Sequence, residues 1–232
     1  MFVIGHRGAS AYAPENTFAA FDLAVAQGVD AVETDIRASK DGVLCLMHDP
    51  TVDRTTDGQG AIGDLTANEI QTLDAGSWFA PQFVGQRVPT LDAFLQRYSA
   101  RLPLLLEIKV PGTEASILDL ALQHQARATY VSFHVPSLQQ ILRLDAQAQV
   151  GVISAEMSED LIRRARDLGA REVIVLGSAI TPQLVDLAHR LGLAVWAWGI
   201  PDEKQLLHLA SVGVDGCAVD WPAMALRALG RA

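Results

Sequence analysis

The chain has 232 residues, of which 50% are hydrophobic and 19% charged, with a formal net charge of −9. That length suits one large domain, and the apolar half supplies a sizeable core and excludes long disordered tracts. The acidic balance argues against a nucleic-acid groove, which needs a basic face, and any anionic ligand must meet a local reversal of sign from a metal or a few placed Arg and Lys side chains.

A strand-like run opens at once over residues 2–6, with no basic segment or cleavage pattern before it, so no signal peptide is expected and the expected location is the cytoplasm. Phe18, Phe21 and Val25 follow helical spacing after Pro14-Glu15-Asn16-Thr17, and Gly28 ends that helix. The next strands are 31–36 and 43–48. Only Ala38-Ser39-Lys40-Asp41-Gly42 joins them, too short for a parallel crossover, so they form an antiparallel hairpin. Read as a two-residue turn, Asp41-Gly42 sets Lys40 opposite Val43 and Asp35 opposite His48; a three-residue loop with a bulge would shift this by one.

Residues 50–88 break the rhythm with Thr, Asp and Gly, and a capping box, Thr66-Ala67-Asn68-Glu69, opens one short helix. A connection this long reads as a small cap inserted over one end of the domain. Strands over 104–108, 129–133, 150–153, 172–176, 193–198 and 215–219 then alternate with helices that start at Thr90, Ser137, Ser158, Thr181 and Asp202. Cys45 and Cys217 sit in apolar runs and read as buried thiols, not as a disulfide or metal ligands. No apolar stretch approaches the ~18 residues of a membrane span. Alternating strands and helices imply a parallel sheet. With the hairpin arm set aside, eight strands remain. The expected fold is α/β: a single TIM (β/α)8 barrel domain over residues 1–232, with a small insertion at 50–88 after the second strand and its hairpin arm.

Side chains alternate along a strand, so Glu33 and Asp35 share the face opposite Val32, Thr34 and Ile36 and point into the barrel. Glu107 and Lys109 repeat the pattern, with Leu104, Leu106 and Ile108 toward the helices. Active sites of such barrels lie at the C-terminal ends of the strands. Three carboxylates without a Cys ligand suit a hard divalent cation, Mg²⁺, Ca²⁺ or Mn²⁺. The competing reading is a set of barrel-lining salt bridges, Glu107 with Lys109 for instance. His6 and His48 end strands that flank this cluster, and imidazole suits both the base and the acid of a diester hydrolysis near neutral pH. Arg7 and the metal would stabilise charge on phosphoryl oxygens. His124, His189 and His208 fall on helices and read as solvated, while His134, at a strand end after Phe133, stays open.

The strings His6-Arg7-Gly8-Ala9-Ser10, Pro14-Glu15-Asn16-Thr17, Glu33-Thr34-Asp35, His48-Asp49-Pro50 and Glu107-Ile108-Lys109 resemble the glycerophosphodiester phosphodiesterase family, and the likeness runs on to Gly213-Val214-Asp215-Gly216 and Asp220-Trp221-Pro222. The resemblance implies a TIM barrel with an insertion after the His-Asp motif, a general acid/base pair in His6 and His48, and Mg²⁺ or Ca²⁺ on Glu33, Asp35 and Glu107. It further implies phosphate contacts from Arg7 and Lys109. The substrates implied are small glycerophosphodiesters, such as glycerophosphocholine or glycerophosphoethanolamine, cleaved to sn-glycerol 3-phosphate and an alcohol. Phe133 and Trp198 are expected on the glycerol side, with ordinary barrel filling as the alternative for Trp198. The chain departs from the family where Trp198-Gly199-Ile200-Pro201 replaces Trp-Thr-Val-Asn and where Val219 replaces a Thr, both near the rim. Three other readings remain: a lysophospholipase-D-like enzyme with an apolar mouth from Trp78, Phe79 and Phe83, an enzyme resembling phosphatidylinositol-specific phospholipase C that closes a cyclic phosphate, and a silent barrel that only binds ligands.

Overall fold

A computed structural model describes residues 1–231. Among them the strands are β1 (Phe2–Gly5), β2 (Ala31–Ala38), β3 (Leu44–Leu46), β4 (Leu104–Ile108), β5 (Ala128–Ser132), β6 (Gln149–Ser154), β7 (Glu172–Leu176), β8 (Ala194–Trp198) and β9 (Gly216–Val219). β1 pairs in parallel with both β2 and β9, and β4 to β9 follow in chain order from β2, which closes an eight-stranded parallel barrel. β3 lies outside that ring, antiparallel to the end of β2. The helices are α1 (Phe18–Ala26), α2 (Ala67–Thr72), α3 (Leu91–Tyr98), α4 (Glu114–Gln123), α5 (Val135–Leu144), α6 (Glu159–Leu168), α7 (Pro182–Arg190), α8 (Glu203–Ser211) and α9 (Pro222–Ala228). The architecture is the TIM barrel that the strand count implied. Among the described residues no helix is long and apolar enough to cross a membrane.

Thr17, Thr90, Ser158, Thr181 and Asp202 each accept a hydrogen bond from the backbone three residues on, so each fixes the start of its helix as read from sequence. Ser137 does not. α5 begins two residues earlier with Pro136 in its first turn, and Ser137 is buried with its Oγ 3.0 Å from His134 Nδ1. Proline is well placed at a first helical turn because its missing N–H is unneeded there. Of the helical histidines only His208 is simply exposed; His124 and His189 bond to Asp92 and Asp215 at 2.7 and 2.8 Å.

The hairpin register also differs from the two-residue reading. Ile36 lies opposite Leu46 and Ala38 opposite Leu44, and Met47 N donates to Asp35 O at 2.9 Å, so Asp35 faces Met47, not His48. The loop holds three residues, Lys40 to Gly42, closed by Ser39 N to Val43 O at 2.9 Å. Gly42 takes φ +82°, the left-handed position such a loop requires, and the Asp41 carboxylate is occupied with Ser39 Oγ and Ala67 N at 2.7 and 2.8 Å.

Two apolar layers hold the barrel. Leu104, Leu106 and Ile108 pack outward under the helices, where Phe21, Phe94 and Tyr98 form one aromatic cluster, while Ile4, Leu105, Val131, Ile153 and Ile174 meet inside the barrel. The 50–88 segment has an apolar cluster of its own, with Val52, Ile62, Ile70 and Val88 on Cys45 and Met47 of the hairpin arm. Both cysteines are free and buried, and burial pushes their thiols up, to about 11 for Cys45 and about 12 for Cys217.

Glu172 points inward at the N-terminal end of the barrel, against Gly151 of β6, where an added Cβ would lie 2.9 Å from Glu172 Cγ. Its Oε1 has no hydrogen-bond partner, and burial pushes the carboxyl up to about 7 from an ordinary 4.5. Because the folded-state pKa is the higher one, the unfolded chain gives up this proton first. The stability associated with the protonated form is complete below about pH 4.5 and is lost as pH rises toward 7, by up to about 3 kcal/mol. Glu172→Gln should therefore raise Tm at pH 8 by about 6–12 °C and change it much less at pH 5. Thermal melts at the two pH values check this; an equal shift at both would contradict it.

Candidate active site

The site is assembled where β1, β2 and β4 end. At the end of β1 the chain turns sharply: Arg7 takes φ 55°, Gly8 takes φ 88°, and Asn16, whose N donates to Arg7 O at 3.0 Å, takes φ 54°. Left-handed backbone at two non-glycine residues is strain that the surroundings must hold in place. Gly8 is required at its position, since a Cβ there would meet the Ala20 backbone at 2.5 Å. The turn aims the Arg7 backbone N at Glu33 Oε2, 3.0 Å away, and its Nε at Asp35 Oδ2, 3.1 Å away.

Glu33, Asp35 and Glu107 are buried and each offers one oxygen, all within 4.8 Å of one another. Lys109 Nζ lies 2.6 Å from Glu107 and 3.0 Å from Asp35. The salt bridges considered from sequence therefore exist, with Lys109 Nζ on Asp35 Oδ1, but two fixed cations face three carboxylates, and Glu33 Oε1 has no hydrogen-bond partner. The field shows the imbalance. Burial, then the charge of Asp35, pushes Glu33 up to about 8 and Glu107 up to about 7. Asp35 stays ionised well below the usual carboxylate range because Lys109 and Arg7 overcome its burial. An unpartnered buried carboxylate oxygen in an all-oxygen donor set that outnumbers its fixed cations fits a hard divalent cation, so the residues present suit the metal their chemistry implies.

Both imidazoles line the same cavity of about 420 Å³. His6 has Nε2 4.0 Å from Glu33 and Nδ1 2.6 Å from Asp220, a carboxylate from the end of β9 that also accepts from Ser10 Oγ at 2.9 Å. Burial works to lower the pKa of His6, but the Asp220 hydrogen bond and the Glu33 charge prevail and raise it. His48 reaches the cavity just beyond β3. Arg37 grips its carbonyl at 2.9 and 2.7 Å, and Asp49 holds its Nδ1 at 2.7 Å. Burial lowers its pKa despite Asp35 and Asp49. Phe133 and Trp198 line the opposite wall in an edge-to-face pair 6.0 Å apart, with Trp198 Nε1 donating to Ser154 O at 3.2 Å. Gly199, Ile200 and Pro201 line the cavity beside them. Trp78, Phe79 and Phe83 stack edge-on against one another, 5.5 Å between neighbours, and none of them lines the cavity.

All nine residues singled out from sequence thus meet around this cavity, Asp35 through its contacts with Arg7 and Lys109. The supporting residues went unassigned. Asn16 Nδ2 donates to Asp35 Oδ2 at 2.9 Å while its Oδ1 accepts from Thr34 Oγ1 at 2.8 Å; Glu15 bonds Arg7; Asp49 and Asp220 hold the two imidazoles. One signal was available: an inward arginine and a histidine need oriented partners, and the acids nearest Arg7 and His48 in sequence are Glu15 and Asp49.

Paired imidazoles and fixed cations around buried carboxylates at a barrel mouth are a set suited to hydrolytic chemistry. Comparison with known proteins gives the family of this chain. The sequence matches the Glycerophosphoryl diester phosphodiesterase family over residues 6–224. It is 37% identical to YhdW of Bacillus subtilis over 96% of this chain and 95% of that protein. It is 32% identical to a glycerophosphodiester phosphodiesterase of Caldanaerobacter subterraneus subsp. tengcongensis over 95% and 94%. Among solved structures, an Oleispira antarctica phosphodiesterase in complex with the product sn-glycerol 3-phosphate superposes with a TM-score of 0.94 at 31% identity, covering 99% of this chain and 97% of the other. The chain belongs to the glycerophosphoryl diester phosphodiesterase family and is a phosphoric diester hydrolase of that kind.

Asn16→Ala strips buried partners from Asp35 Oδ2 and Thr34 Oγ1 and leaves a Cβ-bearing residue in left-handed backbone without a local hydrogen bond. It should destabilise the chain by about 2–3 kcal/mol in urea unfolding. An unchanged midpoint would mean that neither bond contributes.

Proposed function

We propose that this enzyme hydrolyses glycerophosphodiesters such as glycerophosphocholine and glycerophosphoethanolamine to sn-glycerol 3-phosphate and the free alcohol, with His6 and His48 as the general acid/base pair and with a divalent cation, Mg²⁺ or Ca²⁺, held by Glu33, Asp35 and Glu107. The observation that carries the reading is the buried three-carboxylate cluster, with Glu33 Oε1 unpartnered, beside a cavity that both imidazoles line. The cation would supply Lewis-acid stabilisation of negative charge on the phosphoryl group.

The chain's own residues supply the remainder. Arg7 and Lys109, each tied to carboxylates, meet the non-bridging phosphoryl oxygens as preorganised donors that need no reorientation during reaction. One imidazole accepts the proton of the attacking oxygen as its bond to phosphorus forms. The other donates a proton to the alkoxide as the bond from phosphorus to the leaving oxygen breaks. Asp220 and Asp49 keep each ring in one orientation and one tautomer. Phe133 and Trp198 pack the carbon skeleton of glycerol against an apolar wall. The chain then works as one barrel domain, with 50–88 as a small cap on its rim.

The test is release of sn-glycerol 3-phosphate from glycerophosphocholine with Mg²⁺, Ca²⁺ or excess EDTA. EDTA should abolish release, and His6→Ala and His48→Ala should each lower kcat by about 10²- to 10⁴-fold. Turnover that survives either His substitution would remove that residue from the chemistry, and full activity in EDTA would remove the cation.

A further inference from the structure

Among the described residues of the 50–88 segment, Arg54 hydrogen-bonds two of the residues holding the site together, and it does so with its whole guanidinium. Nε and Nη2 fork onto Asp49 at 2.6 and 3.1 Å; Nη1 and Nη2 fork onto Glu15 at 2.7 and 2.8 Å. Those two carboxylates have different second partners. Asp49 holds His48 Nδ1 at 2.7 Å, and Glu15 Oε1 holds Arg7 Nη1 at 2.9 Å. One guanidinium is therefore shared between the group that orients an imidazole and the group that orients a phosphate-facing arginine.

From this geometry we infer that Arg54 is a positioning residue for the hydrolysis, which sets His48 through Asp49 and Arg7 through Glu15 at once. The inference rests on the roles proposed above for His48 and Arg7. Arg7 makes two demands on its surroundings, Glu15 at 2.9 Å and Asp35 at 3.1 Å. Without Arg54, Glu15 is free to close both oxygens onto Arg7 and draw the guanidinium off Asp35. Asp49 loses its fork and turns about its own side-chain bonds, and His48 loses its fixed partner. A lysine cannot replace the arrangement, because an ammonium is a point charge that cannot fork to two carboxylates in one plane.

The segment has its own apolar cluster, and the Arg54 side chain is 45% exposed, so the contact carries only part of the segment's stability. Tm measured beside kcat separates an effect on turnover from an effect on folding.

The experiment is steady-state hydrolysis of glycerophosphocholine by the full chain with Mg²⁺, for wild type, Arg54→Ala, Arg54→Lys and His48→Ala, with Tm measured for each. Arg54→Ala should lose about 10- to 100-fold in kcat, with KM and Tm near wild type. Arg54→Lys should recover only part of that loss. Guanidinium chloride at tens of millimolar, far below denaturing levels, should restore turnover in Arg54→Ala and leave wild type and Arg54→Lys unimproved. Wild-type kcat in Arg54→Ala beside an inactive His48→Ala overturns the inference alone. So does a loss of turnover that tracks a fallen Tm and is not rescued by guanidinium. Undiminished turnover in His48→Ala overturns the active-site reading, and this inference with it.

Discussion

Three carboxylates buried within a few ångströms of one another at the end of a barrel are the constraint to which the rest of the molecule responds. An unpaired buried charge costs several kcal/mol, so the cluster forces its surroundings to supply cations at fixed points. Lys109 comes from the strand that carries Glu107, two residues on, so the strand period delivers it to the same face. Arg7 comes from a turn that only left-handed backbone at Arg7, Gly8 and Asn16 can make. Asn16, strained itself, bonds the Asp35 carboxylate that the turn serves. The strain and the charge thus hold each other in place. Glu33 and Glu107 remain under-compensated, and their raised pKa values express what the protein alone does not neutralise.

The two imidazoles are held by one device in two settings. Each has a carboxylate on Nδ1, Asp220 for His6 and Asp49 for His48, which leaves Nε2 free. Their backbone supports differ. His6 ends a barrel strand, while His48 follows the short β3 and depends on Arg37 at its carbonyl. A group on such an extension needs more bracing than one on the barrel, and we assign that bracing to Arg54.

The sequence made the barrel legible because its signals are local and repeated. Strand periods, caps such as Thr90 and Asp202, and the inward parity of Glu33, Asp35 and Glu107 depend on neighbours a few residues apart. The register of the hairpin was not legible, because Asp41-Gly42 is compatible with two loop lengths. The choice was made by contacts of Asp41 with Ser39 and with Ala67, far away in the chain. His48 reaches the cavity without pairing with Asp35, since Arg37 holds its carbonyl and Asp49 its ring. The bracing of His6 by Asp220 spans 214 residues of sequence separation and that of Glu15 by Arg54 spans 39, which no local pattern encodes.

The proposal that the buried carboxylate cluster holds a divalent cation is tested most directly by calorimetry. Ca²⁺ or Mg²⁺ is titrated into the protein at pH 7 in two buffers of different ionisation enthalpy. Burial and the charge of Asp35 push Glu33 and Glu107 above the ordinary carboxylate range, so binding is expected to release protons and to give different heats in the two buffers, and Glu33→Gln is expected to weaken the binding. Binding with the same heat in both buffers, or undiminished in Glu33→Gln, would contradict it.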